Sequence, residues 1–81
     1  MTAHRITYQG PAALAVRAAT LIADAEGVEL TSAESPEPLD GRPDIVRLGL
    51  VVEASDADLA LAVQSIQDEL PSGASVTVGA V

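Results

Sequence analysis

Residues 44–54, DIVRLGLVVEA, alternate over their whole length: Val46, Leu48, Leu50 and Val52 fall on one face, Ile45, Arg47, Gly49, Val51 and Glu53 on the other. A period of two is the pattern of a β-strand, because successive side chains point to opposite sides of a pleated backbone. With both faces rich in β-branched and aliphatic residues, this stretch belongs in the middle of a sheet. The rest of the chain therefore has to supply strands for both of its edges and a layer to cover at least one face.

Three weaker alternations supply the strands. In HRITYQ (residues 4–9), Ile6 and Tyr8 oppose Arg5, Thr7 and Gln9. In VELTSAES (28–35), Val28, Leu30 and Ser32 oppose Glu29, Thr31 and Ala33. In ASVTVGAV (74–81), Val76, Val78 and Ala80 oppose Ser75, Thr77 and Val81. Two segments instead carry apolar residues at helical spacing. One follows Gly10-Pro11 and holds Leu14, Ala18, Leu21, Ile22 and Ala25, with Gly27 as its stop. The other begins at the Ser55/Asp58 capping pair, holds Leu59, Ala62, Val63, Ile66 and Leu70, and ends at Pro71, Ser72 and Gly73.

The predicted order is βαββαβ in an α+β fold. Its economical arrangement is the ferredoxin-like sandwich: a four-stranded antiparallel sheet in the order 4-1-3-2, with both helices on one face and the other face open. SPEPLDGRPD (35–44) then joins the second and third strands as a flexible loop, since its X-Pro steps and glycine disfavour regular structure.

Eighty-one residues make one domain, residues 1–81, that hides only about 60% of its unfolded surface. Phe, Trp and Cys are absent and Tyr8 is the single aromatic residue, so aliphatic side chains and alanines build the core without help from disulfides. That shortage makes oligomerisation a natural supplement. The absence of Lys and Asn, with abundant Ala, Gly, Pro and Asp, fits a GC-rich bacterial or phage origin.

The formal net charge of -8 and four scattered arginines argue against nucleic acid as a partner, because phosphate binding draws on clustered Lys and Arg. No apolar run spans a bilayer and the N-terminus lacks the order of a signal peptide, which makes the expected location cytoplasmic. His4 has no neighbouring nucleophile or second metal ligand in sequence, and a histidine near a terminus is ordinarily solvated. Asp56 and Asp58 sit where carboxylates complement a helix N-terminus, which explains them without catalysis. Gly10-Pro11 precedes a helix but forms no phosphate-binding motif. The expectation is a non-enzymatic chain with no catalytic residues, no metal and no cofactor.

The run TYQGPAALAVRAATLIADAEGVEL resembles the first half of an ACT-type regulatory domain, and VRLGLVVEASDADLALAVQSIQDEL is similar to its second half. The usual Pro-Gly of that family stands here as Gly10-Pro11. The resemblance implies sensing of an amino acid or another small ligand at a dimer interface, with Tyr8, Gln9 and Gly10 near the site.

The residues themselves point first to association. Arg5, Thr7, Arg47, Val51, Thr77 and Val81 lie on the open face, giving an expected interface in which two of four arginines gather. The last strand carries no Lys, Glu, Asp or Pro to discourage pairing with another chain. The leading expectation is a small acidic protein–protein association module, homodimeric or accessory to a larger assembly. An ACT-like sensor comes second, and an acidic phage or immunity-type inhibitor of a basic target third.

Overall fold

The computed structural model describes residues 2–39, 41–71 and 73–80. Its elements are β1 (Thr2–Pro11), a short 3-10 turn (Ala12–Leu14), α1 (Ala15–Asp24), β2 (Val28–Ala33), β3 (Glu37–Leu39), β4 (Arg42–Ala54), α2 (Asp56–Glu69) and β5 (Ser75–Ala80). The two helices accompany one antiparallel sheet that does not close.

β4 is central, as its alternation requires. It pairs with β1 on one side, from Thr2↔Ala54 to Pro11↔Ile45, and with both β2 and β3 on the other. β5 pairs with β1 and ends the sheet, giving the path β2-β4-β1-β5 with β3 attached to β4. Five strands stand where four were expected. The additional one lies within 35–44, the stretch expected to be a loop.

Two local features allow this. β3 borders β4 alone, so Pro38, which has no N–H to donate, sits where a missing donor can face away from the sheet. Gly41 adopts φ 71°, a left-handed conformation suited to the tight connection between Leu39 and Arg42, which face each other in register.

The even-numbered residues of the central strands form the floor of the core. Ile6 and Tyr8 of β1, Val46, Leu48, Leu50, Val52 and Ala54 of β4, and Val76 of β5 are buried together with Ala15, Ala18 and Ile22 of α1 and Leu59 and Ile66 of α2. Alanine on the buried side of α1 brings that helix close to the sheet, which is how a chain without Phe or Trp fills its interior. Tyr8 is fully buried and donates its hydroxyl to the Pro11 carbonyl at 2.8 Å. Burial raises its phenol above the usual range.

The helix ends follow their residues. Ser55 caps α2, its hydroxyl accepting from the Asp58 N–H at 3.2 Å, while Asp56 and Asp58 occupy the first turn. α1 stops at Asp24, earlier than the expected Gly27. Gly27, at φ 78°, serves instead in the turn to β2, where the Val28 N–H donates to the Ala25 carbonyl at 3.3 Å.

β2 departs from simple alternation. Its register with β4 shifts between Leu30 and Ser32, leaving Thr31 in a bulge whose hydroxyl donates to the Val51 carbonyl at 2.9 Å. Beyond the bulge Ser32 lies opposite Val51 and Ala33 opposite Leu50, which exchanges the faces expected for those two residues.

Candidate functional site

The odd-numbered residues of β1 and β4 form the face away from the helices. The register sets them in rows: Glu37, Arg47, Gln9 and Ser75; then Gly49, Thr7 and Thr77; then Ser32, Val51, Arg5 and Gly79. Arg5, Thr7, Gln9, Arg47 and Thr77 line one depression of about 270 Å³, completed by Glu34, Ser35, Glu37 and Gly49. Val51 shares the face and is half-buried opposite Arg5. Val81, the remaining expected interface residue, lies outside the described residues.

The three residues expected near a small-ligand site do not converge. Gln9 lines the open-face depression. Tyr8, one residue earlier, points the opposite way and is sealed in the core. Gly10 is also buried, and a Cβ placed on it would lie 2.8 Å from the Ala74 Cβ. Strand alternation separates Tyr8 from Gln9 geometrically.

Glu34 joins this face without a signal from sequence spacing. The bulge in β2 carries the chain over β4, the Glu34 N–H donates to the Gly49 carbonyl at 2.8 Å, and the side chain forms an ion pair with Arg5. Gly49 makes room for that pair: a Cβ there would lie 2.9 Å from Arg5 Nη2 and 3.0 Å from Glu34 Cδ. Arg47, by contrast, makes no ion pair among the described residues, although Glu37 faces it in register.

The two edges of the sheet differ in chemistry. The β2/β3 side presents Glu29, Glu34 and Glu37 with Pro36 and Pro38, features that discourage strand addition. β5, of sequence SVTVGA, contains neither a charge nor a proline. Val78 lies on the helix side but remains 43% exposed, because α2 does not cover it.

Beside Val78 runs an apolar groove of about 470 Å³ between α2 and β5, lined by Leu59, Ala60, Val63, Gln64, His4 and Asp56. His4 is therefore not a solvated terminal residue: its side chain is 16% exposed. β1 continues to Thr2, which holds His4 under the first turn of α2. Its Nε2 lies 3.4 Å from Asp56 Oδ1 and is buried without a hydrogen bond, so the contact is electrostatic proximity only.

Glu69, near the end of α2, approaches Arg17 of α1 at 3.5 Å and links the two helices at the surface. Among the described residues no group of three or more His, Cys, Asp or Glu is arranged to hold a metal ion, and no helix is long and apolar enough to cross a membrane. No family model matches the chain, and comparison with curated proteins finds no match.

Proposed function

We propose that this chain is a small, non-enzymatic association module in which two copies pair antiparallel through β5. The observation that carries the reading is the asymmetry of the sheet's edges: acidic residues and prolines mark β2 and β3, whereas β5 carries neither a charge nor a proline.

A second copy is the occupant that this edge fits. Each molecule has a formal net charge of -8, so stable contact between copies has to avoid their carboxylates. Pairing β2/β3 edges would bring Glu29, Glu34 and Glu37 toward their equivalents. Pairing β5 with β5 brings together serine, threonine, glycine, alanine and valine. Across a two-fold axis the exposed Val78 approaches its counterpart, adding apolar burial to the strand hydrogen bonds.

The sheet path supports a ferredoxin-like reading of the fold. With β3 taken as an extension of the β2 edge, β2-β4-β1-β5 follows that order, and β5-to-β5 pairing would join two such sheets into one. Light scattering between low and high micromolar concentration tests the association. The expected mass is twice 8.2 kDa. Val78→Asp, which places like charges across the seam, is expected to return it to the single-chain value without unfolding the protein. A single-chain mass for the unmodified protein at every concentration would overturn the reading.

A further inference from the structure

The open-face depression has a chemistry of its own, independent of the β5 edge. Two of the four arginines meet there in a molecule of formal net charge -8, and they are used differently. Arg5 holds Glu34, whereas Arg47 makes no ion pair among the described residues. Between them lie Thr7 and Thr77, directly opposite in register, and Gln9, which faces Arg47. Hydroxyls, a primary amide and two guanidinium groups supply hydrogen-bond donors, and the carboxylates of Glu34 and Glu37 on the same rim balance the two positive charges.

Its geometry has two poles. Arg47 sits opposite Gln9, four residues along β1 from Arg5, so the two backbone positions are about 13 Å apart along the strand direction, and the Arg5 guanidinium leans over Gly49 into the space between them. One compact anion held by one guanidinium leaves the other unused. A molecule with a carboxylate at each end uses both. The volume of about 270 Å³ lies just below the roughly 300–1,000 Å³ of pockets that hold drug-sized ligands, which favours a small molecule.

Glu34 shows the chemistry at one pole. Its carboxylate lies on Arg5 above the bare backbone of Gly49, and it belongs to residues 34–36, which join β2 to β3 without regular pairing of their own. We infer that this depression binds an elongated small dicarboxylate, one carboxylate on Arg47 and the other replacing Glu34 on Arg5. Glu34 then acts as a built-in competitor, and Thr7, Gln9 and Thr77 orient the ligand between the poles.

The test is a titration of the intact chain with glutarate at constant ionic strength, followed by calorimetry and by amide chemical shifts, with acetate and inorganic phosphate as comparisons. Saturable glutarate binding is expected, with shifts at Thr7, Gln9 and Thr77. Glu34→Gln removes an exposed competing ion pair and is expected to tighten binding roughly two- to fivefold. Arg47→Gln removes charged hydrogen bonds and is expected to weaken it by about tenfold or more, with the melting temperature unchanged. The proposal is overturned if glutarate gives no saturable response with either the unmodified chain or Glu34→Gln, or if Arg47→Gln binds equally well. Acetate or phosphate binding as tightly as glutarate would equally overturn the two-pole assignment.

Discussion

Replacing Gly10 by alanine tests how tightly β1 is packed against the chain leading into β5. Elsewhere a Gly→Ala change in extended backbone stabilises by about 0.4–1 kcal/mol, through lost freedom of the unfolded chain. Here the added Cβ would lie 2.8 Å from Ala74 Cβ, 2.9 Å from Ala74 Cα and 2.9 Å from the Tyr8 hydroxyl oxygen. Carbon atoms pack favourably at about 3.5–4.0 Å, so relief needs a displacement of more than half an ångström. One obstructing atom is backbone, and another belongs to the phenol that bonds Pro11, so no free side-chain rotation can supply it.

Overpacking of this kind costs about 1–3 kcal/mol. At about 4–8 °C per kcal/mol for a domain of this size, a loss near 2 kcal/mol lowers the melting temperature by about 8–16 °C. Thermal unfolding by circular dichroism reads the change, with Gly73→Ala as the control because a Cβ there meets nothing within 4 Å. The same reasoning predicts that Ala74→Gly rescues Gly10→Ala only in part, since the backbone of residue 74 still obstructs the new methyl group. A Gly10→Ala chain as stable as Gly73→Ala would refute the packing described for this junction.

Tyr8 should make the fold sensitive to alkali. Above a pH of about 10 the unfolded chain releases a phenolic proton that the buried side chain retains, so stability falls as pH rises further; below that range the effect is absent. The chain has no Lys or Cys, so no side chain of comparable ordinary pKa competes with Tyr8 for this alkaline effect. Tyr8→Phe should lose about 1 kcal/mol at pH 7 through the missing bond to Pro11 and remove the alkaline slope, as denaturant titrations at pH 7 and 11 would measure. Ser55→Ala should cost about 1 kcal/mol by uncapping α2, read from the denaturation midpoint. Gly49→Ala should change stability by less than about 1 kcal/mol, because flexible side-chain ends can yield, yet it should abolish the Arg5–Glu34 coupling in a double-mutant cycle.

Alternation alone makes much of this fold legible in the amino-acid sequence. It places β4 in the centre and sends Arg5, Thr7, Gln9, Arg47 and Thr77 to one face, where they line a single depression. The Ser55 cap is equally visible, because it depends on residues three apart. What escapes depends on partners distant in sequence. The Thr31 bulge uses a carbonyl 20 residues away, and the resulting shift carries Glu34 to Arg5. β3 is hidden by Pro36 and Pro38, although the Asp40-Gly41 pair between Leu39 and Arg42 is a hairpin signal. His4 looks terminal by number, but continuation of β1 to Thr2 holds it beneath α2.

The most direct test of the proposed β5 seam is a distance between copies. The chain has no cysteine, so Thr77→Cys gives one position for a spin label, and dipolar spectroscopy then reads the separation across the seam. Antiparallel β5 pairing predicts a single short distance, set by adjacent strands about 5 Å apart and the length of the two labels. Absence of dipolar coupling at high micromolar concentration, in a chain that remains folded, would contradict it.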